Sequence, residues 1–353
     1  MLTRLSADNY RALSNFEMRP GRLNLLIGQN GSGKTTVFNV LGSIRDLVVL
    51  GFSAHELFAS TKTKWDGRDS QHFELDIESE GTLFRYSLDI KHPTPGQPFI
   101  RAESVTADGH ALFRFSDGEV RLSYDDDSQA STFPFRNDQS FLVNLGSSSS
   151  VKLGRLEQFK QQIWGLSIIQ PNPFAMLPTA TQAVPYLSRD GSNFAGFFEH
   201  LTKVEPAARN AIESSLRISF PEFKNFRFSP AGSEDYLLAS FAGDHREFKL
   251  SEISEGQRVL AILYSAVFGL ARKGALLCLD EPDNFVAPQE IQPWLQSLRD
   301  QIEHLGAEIV APVAPAQAPA RDRAKAQMYA FDDRTGDPDF AIRLRRRQFP
   351  HCV

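Results

Sequence analysis

Apolar positions in the first fifty residues follow two different periods. A compact apolar run at residues 23–27 ends at Gly28, which predicts a short buried strand followed by a turn. From residue 35 to residue 48 the apolar residues recur at helical spacing, which predicts a helix after that turn. Residues 2–13 alternate over a shorter stretch and predict an edge strand. The chain is therefore expected to place a strand, a glycine-rich turn and a helix in succession.

The middle and the end of the chain mix strand and helix periods. Between about residues 73 and 122 the period is two, which predicts antiparallel strands with one solvated face. Further helices are predicted at residues 153–163, 194–201, 206–216, 259–270 and 291–304. Further strands are predicted near Phe226, Leu237 and Phe248 and at residues 275–279 and 307–310. The serine run at 147–150 and the alanine- and proline-rich stretch at 311–320 are typical of loops or linkers.

Composition narrows the class of protein without identifying it. The 353 residues are enough for one large domain or two modest ones, and the net charge of -5 argues against a surface that binds nucleic acid all over. Two cysteines, Cys278 and Cys352, cannot form a disulfide framework, and no apolar run is as long as a membrane-spanning helix. The first residues lack the apolar region of a signal peptide. These features predict a cytoplasmic protein with no membrane partner.

The strongest chemical signal is the octapeptide at residues 28–35, between the predicted strand and the predicted helix. It has the spacing G-x-x-x-x-G-K-[ST], in which a curled glycine-rich backbone directs N–H groups at phosphate oxygens. Lys34 would contact the β- and γ-phosphates, and the Thr35 hydroxyl would bind Mg²⁺. The predicted nucleotide-binding residues are Gly28, Gln29, Asn30, Gly31, Ser32, Gly33, Lys34, Thr35 and Thr36. The alternative is a glycine-rich turn that only caps a buried helix.

A second signal is the apolar run at residues 275–279, which ends in two acids. Such a run predicts a central strand that delivers carboxylates to its carboxyl end, where α/β sheets bind ligands. Asp280 would hold the Mg²⁺ shell, and Glu281 would orient or deprotonate the attacking water. The alternative is a plain strand and turn. The phosphate-binding loop (P-loop) predicted at residues 28–35 favours the functional interpretation over it. Cys278, inside the strand, is expected to be a packed thiol.

A third signal lies between these two, at Ser254, Glu255, Gly256 and Gln257. Ser254 is a good helix N-cap, Gly256 permits close approach, and apolar residues continue the helix. A helix N-terminus with an exposed serine can bind an anion. In isolation a plain capped helix would be the better interpretation, and only the position of the motif in the chain favours the functional one.

The three motifs, in this order, resemble those of the ABC ATPases of the RecF/SMC-like branch. More narrowly, the chain resembles the predicted bacterial AAA-type ATPases that share the ABC core. Additional stretches that resemble the family are residues 9–13, 189–195 and 280–288. The resemblance covers residues 1 to about 310.

This resemblance implies ATP and Mg²⁺ as cofactors and a homodimer that forms on ATP binding. The P-loop of one copy would face residues 254–257 of the other across ATP, so Ser254 to Gln257 are predicted nucleotide-binding residues. Glu281 and Lys34 are the predicted catalytic residues, and Thr35, Asp280 and Gln170 the predicted metal ligands. Gln170 is the weakest of these, because a simple loop glutamine is the commoner case.

The chain also departs from the family near its end. Phe285 and Ala287 stand where the family has Gly and His, whereas Asp283, Asn284 and Pro288 fit. After the strand at 307–310 the family places a polar switch that contacts the γ-phosphate, and here residues 311–315 read Ala-Pro-Val-Ala-Pro. His304 or Gln317 could substitute for that switch. A diverged end and an end altered by a reading-frame change would both give this pattern.

Three weaker features are explained by an ordinary structural role at least as well as by ligand binding. Arg11 could touch nucleotide, although a surface arginine at a strand end is the safer interpretation. Asp190 and Asn193 are expected to form a helix-start turn rather than a ligand site. Four arginines at 343, 345, 346 and 347 could bind nucleic-acid phosphates or could be a solvated basic tail.

We therefore predict an α/β fold: a P-loop NTPase of the ABC ATPase type with an antiparallel β subdomain and an inserted helical lobe. The predicted division has five parts. These are a P-loop part at 1–60, the β subdomain at 61–152, the helical lobe with return strands at 153–245, a signature and acidic-strand part at 246–310, and an atypical tail at 311–353.

Two hypotheses about function follow from these residues. The first is an ATPase whose ATP-bound dimer opens on hydrolysis, with DNA repair or phage defence as its setting. The second is an ATP-gated scaffold that hardly hydrolyses and holds a partner effector such as a nuclease, which is an analogy with the family alone. Glu281 favours the first hypothesis, and the missing switch favours the second and predicts slow hydrolysis.

Overall fold

The chain divides into two compact units. The structure, a computed structural model, describes residues 1–28, 31–124, 131–146, 153–243, 246–272, 274–305, 308–313 and 341–343. Within these residues the first unit contains residues 1–166 with the short strand at 341–343, and the second contains residues 167–312. The five-part division predicted from the sequence is finer than this one and stays a prediction.

The first unit is built on an antiparallel sheet of eight strands, in the order β2-β1-β4-β5-β6-β7-β8-β9. Its strands and the separate strand β3 are β1 Leu2–Asp8, β2 Phe16–Met18, β3 Leu23–Ile27, β4 Ser70–Ser79, β5 Thr82–Lys91, β6 Phe99–Ala107, β7 His110–Ser116, β8 Glu119–Leu122 and β9 Ser131–Pro134. Its helices are α1 Lys34–Arg45, α2 Ala54–Phe58 and α3 Gly154–Trp164. The period-two pattern thus predicted the antiparallel strands correctly.

Two predictions about the start of the chain need correction. The predicted edge strand at residues 2–13 ends at Asp8 and is not at an edge, because β1 pairs with β2 on one side and β4 on the other. Three-residue β2 is too short to show a period of its own. The predicted helix at 35–48 is α1 followed by a π-helical turn, Asp46–Leu50, which ends at Gly51 in the left-handed conformation.

The core of the first unit contains a buried carboxyl group. The ring of Phe159 on α3 stacks on Tyr86 of β5 at a centroid distance of 5.6 Å. Glu103 of β6 lies in the same interior, where its Oε1 accepts hydrogen bonds from the Tyr86 hydroxyl at 2.9 Å and from Ser140 Oγ at 2.8 Å. Its Oε2 has no hydrogen-bond partner among the described residues. Burial raises the pKa of Glu103 to about 7, against the two hydrogen bonds, which lower it.

The second unit contains two groups of strands and the longer helices. Its strands are β10 Leu166–Ile169, β11 Thr179–Ala180, β12 Phe223–Ala231, β13 Glu234–Phe241, β14 Glu247–Lys249, β15 Leu276–Leu279 and β16 Glu308–Val313. Its helices are α4 Phe194–Val204, α5 Pro206–Ser219, α6 Glu255–Ser265 and α7 Pro288–Leu305. Strands β11, β13, β12 and β14 form an antiparallel group, and β15 lies between β10 and β16, with β15 and β16 parallel.

Helix α6 is the most completely buried helix core in this unit. Every residue from Arg258 to Ser265 is buried, and the helix continues as a π-helical turn, Ala266–Leu270. Gly191 lies directly against it, because a Cβ at that glycine would overlap the side chain of Ile262. The body of α6, from Arg258 onward, is therefore packed on all sides.

The end of the chain differs from the sequence prediction in two places. Strand β16 continues through Ala311 to Val313, so these residues are not the start of a linker; Pro312 is tolerated because it lies near the end of the strand. Residues 341–343 form β17, which pairs in parallel with β3. Three residues carry no readable period, so this strand was not predicted.

We predict that Glu103→Gln removes a pH dependence of stability. The pKa of Glu103 rises from 4.5 in an unfolded chain to about 7 in the fold, so the folded state holds the proton more tightly. The stability of the native chain should therefore fall as pH rises from about 4.5 to about 7, by on the order of 3 kcal/mol, and level off above that. Thermal unfolding between pH 5 and pH 8.5 measures this.

The amide variant cannot titrate, so its advantage over the native chain should grow from pH 5 to pH 7 and then stay constant. Exposed Glu119→Gln is the matched control and should follow the native profile. Parallel pH profiles for the native chain and Glu103→Gln would show that Glu103 is charged in the fold at all these pH values.

Candidate functional site

The turn between β3 and α1 has the backbone conformation that a phosphate-binding loop needs. Gly31 and Gly33 have φ angles of 78° and 104°, in the left-handed region that favours glycine. A Cβ at Gly33 would also lie 3.2 Å from the side chain of Leu13. Gln29 and Asn30 of the predicted site lie outside the described residues. Both glycines are thus required by the turn, independently of any ligand.

The N-terminus of α1 is not capped by a side chain. Gly33 is the N-cap residue and makes no side-chain hydrogen bond to the first turn, which also contains no acidic residue. Thr35 is exposed and Thr36 half-buried in that turn. Ser32 is buried, and its Oγ has no hydrogen-bond partner among the described residues. A helix N-terminus without a side-chain cap, the positive end of the helix dipole and a buried hydroxyl together favour an anionic ligand.

Lys34 lies within the same loop. Its half-buried side chain curls back, and Nζ donates a hydrogen bond to the carbonyl oxygen of Gly28 at 2.6 Å. The positive charge is therefore held at the mouth of the turn, next to the uncapped N–H groups. An ammonium group in this position can neutralise the charge of terminal phosphates.

The acidic strand delivers its two carboxylates into different environments. All four residues of β15 are buried, Cys278 among them, and Asp280 after the strand is only 1% exposed. Glu281 is exposed and has a φ of 49°, a left-handed conformation that is strained for a residue with a side chain. Its Oε2 accepts a hydrogen bond from Asn284 Nδ2 at 2.6 Å. Asn284 thus orients the carboxylate that the sequence predicts as catalytic.

Arg189 is a residue that the sequence analysis did not predict for this site. Its guanidinium Nη2 lies 3.3 Å from Oδ2 of the buried Asp280 carboxylate. Gln170 lies at the same place, because its backbone N–H donates to the carbonyl oxygen of Arg189 and the Asp280 N–H donates to that of Ile169. Arg189 opens the segment that resembles the family at 189–195, which was the available signal. The second unit therefore brings Gln170, Arg189 and Asp280 together.

The donor set around Asp280 fits Mg²⁺ better than a transition metal. Among the described residues there is no group of three or more His, Cys, Asp or Glu side chains that could hold a metal ion. Mg²⁺ is commonly bound by one or two carboxylates together with substrate phosphates and water, so a single carboxylate does not exclude it. Within the second unit, Asp280 and the Gln170 side-chain amide can supply oxygen donors. Lys34 and Thr35 belong to the first unit, and Asp280 and Gln170 to the second.

The N-terminus of α6 is built in a different way from that of α1. Ser254 is the N-cap: its Oγ accepts from the Gln257 N–H at 3.2 Å, and its N–H donates to Gln257 Oε1 at 3.1 Å. The predicted N-cap is thereby confirmed. The Ser254 hydroxyl hydrogen is not used by this capping box, so it can still be donated to a ligand. Glu255 is exposed, and its carboxylate lies 3.9 Å from the Arg258 guanidinium.

Gly256 allows its own chain to approach the helix end. A Cβ there would lie 3.1 Å from the carbonyl oxygen of Phe285. Phe285 has a φ of 70°, in the left-handed region that favours glycine. Its ring is 51% exposed and meets that of Phe174, 68% exposed, edge to face at 5.7 Å. This side of α6 is therefore closed by the loop after β15.

The weaker features behave as ordinary structural groups. Burial acts to raise the pKa of Asp190, but hydrogen bonds from Ser192 and Ser188 outweigh it and lower that pKa, as in a helix-start turn. Asn193 Oδ1 accepts from the Ser188 N–H in the same turn. Arg11 is exposed and lies over the ring of Tyr10.

Of the two residues proposed to substitute for the polar switch, His304 and Gln317, only His304 lies within the described residues. His304 is exposed near the end of α7, and its Nδ1 lies 2.7 Å from the carbonyl oxygen of Asp300. Gln317, Cys352 and the arginines at 345–347 lie outside the described residues, and only the backbone of Arg343 is described. No helix in the described part of the chain is long and apolar enough to cross a membrane.

Comparison with known proteins gives similarity of fold only. No protein-family model and no curated protein matches the chain. The chain is similar to an SMC head domain from Thermotoga maritima, at 12% identity, with 93% of this chain and 91% of that one covered and a TM-score of 0.43.

Two further solved structures are similar at the same level. One is an SMC head bound to the C-terminal winged-helix domain of ScpA (13% identity, 88% and 89% covered, TM-score 0.49). The other is an SMC head with an extended coiled coil bound to the C-terminal domain of ScpA, derived from Pyrococcus furiosus (10% identity, 93% and 91% covered, TM-score 0.49). Similarity this distant assigns no role to any residue.

We predict that Arg189→Gln destabilises the metal-free chain more than the chain with Mg²⁺ and ATP. The substitution leaves the buried Asp280 carboxylate with less compensating positive charge, which a bound cation would replace. The loss should be about 1–3 kcal/mol without metal, discounted because the Arg189 side chain is 37% exposed. Thermal unfolding with EDTA and with Mg²⁺-ATP measures it.

The matched control is Arg299→Gln, which removes an exposed pair with Glu303 on α7 and should shift the midpoint little in either condition. An equal destabilisation of Arg189→Gln in both conditions would mean that Arg189 only packs against its neighbours and does not compensate a metal-binding carboxylate.

Proposed function

We propose that this chain is an ATP-binding ATPase of the ABC type that works by pairing two copies head to tail around ATP. The observation that carries the proposal is the turn at Gly31–Gly33, with its uncapped helix N-terminus and with Lys34 held at its mouth. A triphosphate would use both the Lys34 ammonium group and the buried Ser32 hydroxyl, whose Oγ has no hydrogen-bond partner among the described residues.

The roles of the other residues follow from the same proposal. The backbone of residues 28–35 and the Thr36 hydroxyl surround the phosphates, and Thr35, Asp280 and Gln170 supply oxygen ligands to Mg²⁺. Glu281, held by Asn284, orients or deprotonates the attacking water. Mg²⁺ bound by these residues would supply positive charge that stabilises the negative charge developing on the phosphates. Ser254 to Gln257 of the second copy close the site on the γ-phosphate.

A second candidate function is supported by β16. The strand continues through Ala311, Pro312 and Val313, none of which has a side-chain donor for a phosphate or a water. An ATPase without such a donor would hold ATP longer than it hydrolyses it, as an ATP-gated scaffold requires. The partner would then be an effector such as a nuclease, in DNA repair or phage defence within the cytoplasm, by analogy with the family.

We predict that Glu281→Gln traps a dimer in ATP and Mg²⁺. The amide keeps the shape of the carboxylate and its contact with Asn284 but cannot act as a base, so the closed state should accumulate. Light scattering after size exclusion measures the mass, and a fluorescent ATP analogue measures binding.

Two further substitutions, each added to the Glu281→Gln chain, distinguish ATP binding from dimer formation. Lys34→Ala should abolish ATP binding and therefore the dimer, with the fold unchanged. Ser254→Arg should keep ATP binding by the P-loop and abolish the dimer, because a bulky cation replaces the small N-cap hydroxyl. ATP bound to a Glu281→Gln chain that stays monomeric would contradict the head-to-tail site.

We predict that the native chain hydrolyses ATP slowly. The absence of one preorganised donor typically costs about 10²- to 10³-fold in rate. Applied to a typical enzyme turnover of about 10 per second, this gives below roughly 0.1 per second. Steady-state phosphate release measures it, for the native chain and for His304→Ala. Rapid turnover of the native chain would contradict the prediction and exclude the scaffold, and rapid turnover that is lost in His304→Ala would show that His304 supplies the switch.

A further inference from the structure

A segment of the first unit, residues 137–145, connects the buried Glu103 carboxyl to the helix that follows the P-loop. The buried Ser140 Oγ donates a hydrogen bond to Glu103 Oε1 at 2.8 Å. Ser140 also caps the short 3₁₀ turn Phe141–Asn144, because its Oγ accepts from the Leu142 N–H at 3.1 Å. The position of this turn therefore depends on the contact with Glu103.

The same segment lies against the residues that follow α1. Gln139 Nε2 donates to the Gly51 carbonyl oxygen at 2.9 Å, and the Ala54 N–H donates to the Asp138 carbonyl oxygen at 2.7 Å. A Cβ at Gly51 would lie only 3.0 Å from the side chain of Val143. Two hydrogen bonds and one close packing contact thus join the segment to the end of α1.

The helix α1 transmits a displacement at this end to the P-loop. It runs without a break into the π-helical turn Asp46–Leu50, and Gly51 ends that turn. Single π-helical turns in helices are frequent at functional sites. Lys34 and the N-terminus without a side-chain cap lie at the other end of the same helix. Because packed interfaces change between discrete arrangements, a change at Ser140 can reach the phosphate-binding end of α1.

Glu103 is the group in this connection that titrates near neutral pH. Its Oε2 is buried and has no hydrogen-bond partner among the described residues. An ionised carboxylate places charge on both oxygens, and a buried charged oxygen without a donor is costly. Burial therefore raises the pKa of Glu103 to about 7. The stability that Glu103 contributes is complete below about pH 4.5 and is lost as pH rises through about 7.

No neighbouring charge competes with burial for control of this proton. Tyr86 of β5 contacts the carboxyl, and burial raises its own pKa well above the ordinary value, so it stays neutral. Other titratable groups on the elements around Glu103 make no described contact with its carboxyl: His55 and Glu56 on α2, Arg114 on β7, Arg136 and Asp138 before Ser140, and Glu157 and Lys160 on α3. Lys160 Nζ instead donates to the carbonyl oxygens of Val143 and Leu145, and Asp138 pairs with Arg136.

We propose that the protonation state of Glu103 sets the nucleotide affinity of the P-loop through the 137–145 segment, and that the protonated carboxyl favours tight binding. The inference rests on the proposed function, because it takes the P-loop as the nucleotide site. Loss of the proton draws water to Oε2 and loosens the Ser140 contact. The π-helical turn can then shift, and α1 no longer holds Lys34 in place for the phosphates.

The test measures binding of a fluorescent ADP analogue with Mg²⁺ between pH 6 and pH 8. ADP has no γ-phosphate, so neither hydrolysis nor pairing contributes to the affinity. The chains compared are the native chain, Glu103→Gln and the exposed Glu119→Gln. The amide keeps the shape of the protonated carboxyl and cannot ionise. Titration of the nucleotide itself affects all three chains equally, so the difference between their profiles isolates Glu103.

We expect the affinity of the native chain to fall between pH 6 and pH 8 by on the order of 5-fold more than that of Glu103→Gln, at the lower end of typical couplings between sites. The two chains should bind equally at pH 6, and Glu103→Gln should bind more tightly at pH 8. Glu119→Gln should follow the native chain. A merely structural role of Glu103 would change the affinity by the same factor at every pH.

Hydrogen exchange of the native chain gives a second measurement that needs no variant. The Ala54 and Leu142 amides donate to the Asp138 carbonyl oxygen and to Ser140 Oγ, so both report on the segment. After correction for the intrinsic chemical rate, both should lose protection between pH 6 and pH 8, whereas amides of the central strand β5 should not.

The two levels of the proposal fail in distinguishable ways. A native chain that binds no nucleotide at any pH would overturn the proposed function. Parallel affinity profiles for the native chain and Glu103→Gln, in chains that do bind the nucleotide, would overturn the coupling alone. Unchanged protection of Ala54 and Leu142 between pH 6 and pH 8 would overturn it as well.

Discussion

The left-handed turn in front of α1 determines what that helix can bind. Most helix N-termini are satisfied by a serine, threonine, aspartate or asparagine side chain. Here the N-cap is a glycine in a conformation that L side chains rarely adopt, so no side chain competes for the first N–H groups. The same backbone path places the Gly28 carbonyl oxygen where Lys34 reaches it. The turn therefore combines a helix N-terminus that has no side-chain cap with a positioned cation.

The second unit also contains a loop with positive φ angles, but the residues that adopt them are not glycines. Glu281 and Phe285 both have positive φ angles in the loop after β15, each at a cost on the order of 1–3 kcal/mol. A strained backbone conformation persists only where contacts with neighbouring residues stabilise it. Asn284 fixes the Glu281 side chain, and the Phe285 carbonyl fits against Gly256. The loop thus couples the position of the predicted base to the end of α6, although neither strained residue is a glycine.

The sequence predicted the features of the candidate site that depend on residues close together in the chain. The strand–turn–helix at residues 23–45 and the Ser254 cap each depend on neighbours within a few residues, and both are present. Arg189 could not be found in this way, because its contact with Asp280 joins residues 91 positions apart. β2 and β17 are too short to show a period, so the internal position of β1 and the strand beside β3 were not predictable.

The contact between Arg189 and Asp280 links the stability of the second unit to the proposed metal site. A buried carboxylate costs free energy unless a positive charge compensates it, and either a guanidinium or a divalent cation can do so. Arg189 supplies that charge here, with Nη2 3.3 Å from Asp280 Oδ2. A cation bound at Asp280 would supply it instead, so the fold would depend less on Arg189 once the site is filled.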